Sequence, residues 1–192
     1  MDEIFVINFN DKVRFGLPPA MPFSDNIKAL ATALEKDQPV GRTTLYDAIA
    51  AALKHLEMGT RDRKTLIVVS DGGDNASRHM LPDILQMIEE SHATVYTVGL
   101  FDLDDPDRNP RVLKRIASMS GGEAFLPEKL DDVIPICKKI AQDIRNRYVI
   151  GYVPARRSAN GGLHTIKVTA MAPHHGRLIV QTRTSYVAPP SS

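Results

Sequence analysis

The sequence predicts an α/β fold, with a mostly parallel sheet flanked by helices and followed by an antiparallel β extension. Two observations lead to this prediction. Through residues 1–147, short apolar runs typical of strands alternate with amphipathic stretches typical of helices. From residue 148 onward, strand-like segments follow one another without helices between them. We therefore divide the chain into an α/β domain at 1–147, an antiparallel β appendage at 148–187 and a frayed tail at 188–192.

The first elements are a strand, a short edge strand and a helix. An apolar run at 4–9 indicates a buried strand, and residues 13–15 can pair back beside it. Ser24 offers an N-cap for the helix. That helix carries apolar residues at the spacing of one helical face, namely Ile27, Leu30, Ala31 and Leu34.

The next helix opens at Thr43 and Thr44 and ends near Met58, before Gly59. Thr44 and Asp47 match a capping box, in which two side chains satisfy the first backbone N–H groups of a helix. In this interpretation Thr43 lies just outside the helix, and its hydroxyl points at the edge of the sheet.

The remaining elements alternate regularly as far as residue 147. Residues 65–70 are apolar on both faces, which is typical of a central parallel strand. Cys137 lies in the apolar stripe of the last helix, and we predict that it is a buried small hydrophobic side chain. Further strands are predicted at 94–101 and 123–126, helices at about 81–88, 110–120 and 129–146, and antiparallel strands at 148–152, 165–169 and 178–182.

Composition excludes several classes of protein. The formal net charge is +1 and aromatic residues make up 6 %, so the chain lacks the basic stripe and stacking platforms of a nucleic-acid binder. No apolar run reaches the ~20 residues of a membrane span, and the N-terminus lacks the features of a secretory signal, so the chain as written is expected to be soluble. We expect the scattered histidines on the surface, namely His55, His79, His92 and His164.

Two polar residues stand where an open parallel sheet binds its ligands. Such sites lie at the carboxyl ends of the strands, where loops meet helix N-termini. Asp71 leaves the most buried strand, and Thr43 precedes a helix. A carboxylate at the tip of a strand can offer oxygen to a hard cation. The alternative is that Asp71 only forms a turn ahead of Gly72.

Several stretches resemble von Willebrand factor type A (VWA) domains. Residues 41–49 (GRTTLYDAI) and 67–72 (IVVSDG) resemble two signature stretches, and 96–99 (YTVG) with 113–122 resemble the strand and helix that follow. Residues 144–154 (IRNRYVIGYVP) resemble the bacterial, acidobacterial VWFA-related proteins. The resemblance spans nearly the whole chain. It implies a Rossmann-like, VWA-type sheet and a role in protein–protein interaction or adhesion.

The resemblance also implies a metal site. VWA domains hold Mg²⁺ or a similar ion with a DxSxS loop, a threonine and the aspartate of a strand–Asp–Gly loop. Carried over to this sequence, the threonine is Thr43 and the aspartate is Asp71. No Asp-x-Ser-x-Ser occurs, and the first strand and helix of such domains, about 40–50 residues, have no counterpart. We therefore expect an incomplete site that binds Mg²⁺ weakly, because one hydroxyl and one carboxylate leave most octahedral positions to water.

In a VWA domain the first strand lies between those that correspond to 4–9 and 65–70. Buried strand edges must pair their backbone groups, since each unpaired group costs ~1–3 kcal/mol. We predict that 4–9 moves over to pair directly with 65–70. The alternatives are that another chain supplies a strand, or that the isolated protein is poorly folded.

The favoured function is a non-enzymatic binding module for a protein partner whose identity the sequence does not give. One alternative is a truncated domain without autonomous activity. Another is a metal-dependent hydrolase that uses Asp71 and Asp74, although no general base or phosphate cradle is found near these loops. Neither the compartment nor the oligomeric state follows from the sequence.

Overall fold

A strand pair and two helices come first in the chain, and strands and helices then alternate from residue 65 to residue 146, as the hydrophobic pattern predicts. The computed structural model describes residues 2–36, 41–102, 106–152 and 163–187. The helices are α1 (Ile27–Glu35), α2 (Leu45–Glu57), α3 (Leu81–Glu90), α4 (Pro110–Ser120) and α5 (Val133–Asn146), which a short 3-10 turn (Leu130–Asp132) precedes. The strands are β1 (Ile7–Phe9), β2 (Val13–Phe15), β3 (Thr65–Ser70), β4 (Thr94–Gly99), β5 (Ala124–Phe125), β6 (Leu163–Thr165), β7 (Met171–Ala172), β8 (Gly176–Arg177) and β9 (Ser185–Val187).

The central sheet is parallel, with strand order β3-β4-β5 in the described residues. β4 is buried along its whole length because it has a strand on each side and helices on both faces. Two apolar cores lie on these faces. Val68 and Val95 are buried beneath α2, α3 and α4, whereas Tyr96 and Val98 pack against Ile140 of α5. The predicted Rossmann-like α/β arrangement is therefore confirmed.

The direct pairing predicted for 4–9 and 65–70 is wrong. Within the described ranges, β1 pairs with β2 and β3 pairs with β4, and a groove lies between β1 and β3. The hairpin has its own small core, in which Val6 packs with Leu17 and Ala33 of α1. Closing the groove would pull β1 away from this core and from α2, which contacts both β1 and β3.

α1 begins later than the sequence analysis predicts. Its N-cap is Asn26, whose side chain accepts hydrogen bonds from the backbone N–H groups of Lys28 and Ala29 at 3.0 and 3.2 Å. Only part of the predicted apolar face is buried. Ile27 is 81 % exposed, and the buried residue of the helix is Ala33. Helical periodicity shows which residues share a face, but it does not show how deeply the helix is buried.

α5 packs through a face rotated from the predicted one. Ile140 is buried, with Ile136 and Ile144 partly buried beside it. Cys137 and Ile134 are exposed, so the prediction that Cys137 is buried is wrong. The apolar stripe of α5 covers more of the helix surface than β4 and β5 can contact. The remaining part of the stripe, which includes Cys137 and Ile134, faces solvent.

His55 is buried rather than on the surface. Its ring lies 4.5–4.8 Å, between centroids, from those of Phe5, Phe15 and Phe23, and it is 8 % exposed. Its Nε2 atom lies 2.8 Å from the carbonyl oxygen of Pro22, so this ring nitrogen has a hydrogen-bond partner although the ring is buried.

The C-terminal part contains antiparallel strands as predicted, but at other positions. β6 pairs with β9, and β7 pairs with β8. Residues 148–152 are described but form no strand, and they pair with no strand of the described residues. The appendage contacts the main layer where Arg183 donates to the carbonyl of Ser91 at 2.7 Å and Ser185 bonds Glu89. The boundary at residue 147 stays a prediction, and the predicted frayed tail at 188–192 lies outside the described residues.

Candidate functional site at the carboxyl edge of the sheet

The loop after β3 holds Asp71 in a fixed position. The carbonyl of Asp71 accepts a hydrogen bond from the backbone N–H of Asn109 at 2.8 Å. Gly72 follows with φ +83°, and a Cβ there would lie 2.3 Å from the carbonyl oxygen of Asn109. Both the left-handed backbone and the close approach require glycine at this position. The Asp-Gly pair thus lets the chain turn sharply at the end of β3.

The Asp71 carboxylate is only partly engaged. Its Oδ1 accepts from the backbone N–H of Gly73 at 2.9 Å and lies 3.4 Å from the hydroxyl of Ser70. Within the described ranges no hydrogen bond reaches Oδ2. The same side chain therefore supports the turn through Oδ1 and has a second oxygen, Oδ2, without a hydrogen bond from the described residues.

Thr43 is held from the other side of the same edge. Its backbone N–H donates to Oδ1 of Asn75 at 2.9 Å, and its carbonyl accepts from the N–H groups of Asn75 and Ala76, each at 3.1 Å. These bonds use the backbone of Thr43 and leave its hydroxyl without a hydrogen bond to any described residue. The side chain is half-buried.

Both predicted site residues line one groove. It has a volume of about 1480 Å³ and runs between β1 and β3, with Thr43, Ser70 and Asp71 among its lining residues. The structure thus places along one groove two residues that lie 28 positions apart in the chain. Their roles as metal ligands stay a prediction.

The N-terminus of α2 is capped across the loop rather than by its own residues. The backbone N–H of Tyr46 donates to Oδ2 of Asp74 at 2.8 Å, and that of Asp47 donates to the hydroxyl of Ser77 at 3.0 Å. Thr44, at the N-cap, makes no side-chain cap and instead donates its hydroxyl to the carbonyl of Asn10 at 2.8 Å. The predicted capping box of Thr44 and Asp47 is therefore wrong.

Asp47 fixes the second half of the loop. Its carboxylate accepts hydrogen bonds from the backbone N–H groups of Arg78 and His79, at 3.0–3.1 Å, and lies 2.6 Å from the His79 ring. Partial burial alone would raise the pKa of Asp47, but the bonds from His79 and Arg78 outweigh it and the pKa lies below its ordinary value. The carboxylate is therefore favoured in its charged form.

Sequence reasoning missed Asn75 and Ser77 as residues that build this loop, and it considered Asp74 only as a carboxylate of the hydrolase alternative. The spacing of Asp74 and Ser77 is that of a local turn, in which the Ser77 hydroxyl donates to Asp74 at 2.6 Å. That signal was available. What the sequence does not show is that the turn lies against the N-terminus of α2.

The side-chain oxygens at this edge are of the type that a hard cation binds, but they are too few to complete its coordination shell. Carboxylate and hydroxyl oxygens are ligands that Mg²⁺ accepts, and it requires six. Asp71 and Thr43 each offer one side-chain oxygen without a hydrogen bond from the described residues. In the described part of the chain no group of three or more His, Cys, Asp or Glu side chains is placed to hold a metal. These two residues could hold an ion with water or a partner group in the other positions.

Comparison with known proteins identifies the fold. No protein-family model matches the sequence, and no curated protein sequence matches it. A solved structure of von Willebrand factor type A from Catenulispora acidiphila is similar, with a TM-score of 0.64 and 17 % identity over 78 % of this chain and 35 % of that chain. The chain therefore spans about a third of that protein's length.

Two further solved structures are similar to this chain in fold. The conserved hypothetical protein BatB from Bacteroides thetaiotaomicron gives a TM-score of 0.56 with 14 % identity, over 76 % of this chain and 80 % of that one. An aerotolerance-related membrane protein from Bacteroides fragilis gives 0.58 with 15 % identity over the same shares. Together these structures show that the chain has a VWA-like fold. None of the described helices is long and apolar enough to cross a membrane.

Proposed function

We propose that the chain is a non-enzymatic protein-binding module that captures its partner at the carboxyl edge of the sheet, with a weakly held divalent cation. The observation that carries this proposal is the placement of Thr43 and Asp71 at one groove, each with an oxygen that the described residues leave without a hydrogen bond. The VWA-like fold supports a binding role in general.

The cation would join the partner to the module. Asp71 would supply the charged ligand and Thr43 would position the ion through its hydroxyl. The resemblance to VWA domains implies that a carboxylate of the partner fills a further position. Because this chain contributes so few ligands, affinity for the ion alone is low and rises when the partner is present.

The rival hydrolase receives less support from the geometry. It needs Asp74 as a free catalytic carboxylate, but both oxygens of Asp74 accept hydrogen bonds, from Tyr46 and from Ser77. That carboxylate holds α2 and its loop together. Screens with phosphatase, esterase and peptidase substrates should therefore show no turnover above background. Turnover that disappears in both Asp71→Asn and Asp74→Asn would favour the hydrolase instead.

Calorimetric titration with Mg²⁺ and with Mn²⁺ tests the cation site. We expect binding no tighter than about millimolar, because an incomplete oxygen shell leaves the ion mostly hydrated. Asp71→Ala should abolish that binding. The matched control is Asp62→Ala, which removes an exposed carboxylate from the groove without touching its carboxyl end.

Two results would contradict the proposed site. Micromolar affinity in the native chain would mean that the ligand shell is more complete than Thr43 and Asp71 provide. Binding that survives in Asp71→Ala but is lost in Asp62→Ala would place the ion at the other end of the groove.

A further inference from the structure

The backbone of β3 is paired on one side. Lys64 and Ser70 accept hydrogen bonds through their carbonyls from Thr94 and Leu100 of the β4 side, at 3.0 and 3.2 Å. Since backbone groups alternate in direction along a strand, those of Ile67 and Val69 point the other way, toward the groove. In the described part of the chain no strand lies there. An open edge of this kind is a template for another strand.

The side chains next to this edge are also uncovered. Ile67 and Val69 are 48 % and 50 % exposed, although they belong to the central sheet. Their neighbours in β4, Tyr96 and Val98, are buried beneath α5. The groove therefore combines unpaired backbone with exposed apolar surface.

Hydrogen bonds fix the position of β1 at both of its ends. At the amino end, Glu3 before β1 accepts from the N–H and hydroxyl of Thr60 before β3, at 2.7 and 2.6 Å. At the carboxyl end, Thr44 donates its N–H to the carbonyl of Asn10 after β1, at 3.0 Å. β1 and β3 thus run in the same direction. Helix α2 lines the groove with four apolar residues, Ala48, Ile49, Ala52 and Leu56.

The same chain carries an exposed segment that suits this groove. Residues 148–152 (YVIGY) are rich in strand-forming side chains. The exposed fractions of Tyr148, Val149, Ile150 and Tyr152 are 89, 70, 77 and 56 %. Such a run of exposed apolar side chains is costly in water and typical of an interaction surface.

The segment leaves the fold at the amino end of the groove. Arg147 fixes its start there, because its guanidinium donates to the hydroxyl of Tyr96 at 2.9 Å and bonds Thr94, the first residue of β4. Val149 lines the groove, and most of its side chain is exposed to solvent. A strand that starts at this end and enters a groove would run parallel to β3.

We propose that residues 148–152 of a second copy of this chain enter the groove as a parallel strand beside β3. Two copies that meet at the amino ends of their grooves can exchange these segments reciprocally, which gives a closed dimer with two-fold symmetry. The amino ends of the two grooves suit such a contact because each carries both acidic and basic side chains. These are Asp2, Glu3, Asp62, Arg61, Arg63, Lys64 and Arg145. The exchanged strand pairs with Ile67 and Val69 and covers their side chains.

Sedimentation velocity of the full chain over a concentration series tests the dimer. We expect the native chain to sediment with twice the mass of the monomer as concentration rises, and Ile150→Asp to stay monomeric. The matched control is Ile179→Asp, at an isoleucine that is fully exposed and lies outside the segment. It should form the dimer as the native chain does. Circular dichroism checks that each variant is folded, which the exposure of Ile150 leads us to expect.

Cross-linking distinguishes a second copy from the chain's own segment. In a Cys137→Ser background, Ile67→Cys and Ile150→Cys are combined and oxidised. The proposal predicts a covalent dimer on a non-reducing gel. A link within one chain would mean that the segment enters its own groove, and would overturn the proposal. A native chain that is monomeric at every concentration, or a dimer that survives Ile150→Asp, would overturn it as well. No cation takes part, so failure here leaves the proposed function intact.

Discussion

Asp47 shows how much one side chain contributes to the loop at the candidate site. Its carboxylate accepts the N–H groups of Arg78 and His79, which come from a segment about 30 residues away in sequence. Hydrogen bonds to a charged acceptor are worth more than neutral ones. Asp47 therefore ties the N-terminus of α2 to the loop that ends at α3.

Asp47→Asn should lower the free energy of unfolding by ~1–3 kcal/mol at neutral pH, the usual range when hydrogen bonds to a charged group are weakened. Because the pKa of Asp47 is lowered in the folded state, its contribution is complete above the ordinary carboxyl pKa of about 4 and is lost as pH falls through the folded pKa. Urea unfolding of both chains, from neutral pH to acid, measures this.

The two stability curves should converge in acid. Glu128→Gln is the matched control, since Glu128 is exposed, lies outside the groove and makes no hydrogen bond with the described residues. Its stability should follow that of the native chain throughout. A constant difference between the native chain and Asp47→Asn at every pH would show that the carboxylate charge is not what holds the loop.

Individual residues also show what the sequence can and cannot predict. Asp71 was singled out because the end of an apolar run marks the end of a strand, and Thr43 because it precedes a helix. The resemblance to VWA domains then made both of them candidate ligands. The environments of Cys137 and His55 were predicted wrongly. Burial depends on which elements pack together, and neither a helical stripe nor an isolated histidine carries that information.

At the scale of elements, α2 depends on side chains outside itself. Asp74 and Ser77 accept the N–H groups of Tyr46 and Asp47, in place of the capping box that Thr44 and Asp47 would form. The N-terminus of α2 is thus part of the candidate site. Any movement of the loop after β3 also disturbs the helix that follows Thr43.

Asp74→Ala should lower the free energy of unfolding by ~0.5–2 kcal/mol, as losing an N-cap acceptor does. Asp74→Asn should lower it less, because its amide oxygen still accepts from Tyr46. Thr44→Ala is the contrasting variant, since it keeps the cap and loses the bond to Asn10. Denaturant unfolding compares the three. Equal losses in Asp74→Ala and Asp74→Asn would contradict the capping role and point to the charge of Asp74.

The order and type of the α/β elements follow from the sequence because each has a strong period and clear ends. The three strands of the central sheet and the helices around them lie close to their predicted positions. Residues 148–152 are the instructive failure, since their pattern is as strand-like as that of β5. A strand forms only where a segment makes backbone hydrogen bonds to a neighbouring strand, and a local pattern does not show whether the segment reaches such a neighbour.

At the scale of the whole molecule, the groove between β1 and β3 explains several features at once. It accounts for the exposure of Ile67 and Val69, and it brings Thr43 and Asp71 to one end. The hydrogen bonds of Glu3 with Thr60 and of Thr44 with Asn10 fix β1 at its two ends. The central claim is that β3 presents an open edge to this groove.

Residue-resolved amide exchange tests that claim most directly. It is measured by NMR on Ile150→Asp, in which a second copy cannot fill the groove. The amides of Ile67 and Val69 point into the groove and should exchange rapidly, whereas those of Leu66 and Val68 face β4 and should be protected. This alternation along one strand is an internal control for local stability. Equal and strong protection of all four amides would show that another strand pairs with β3, and would contradict the account.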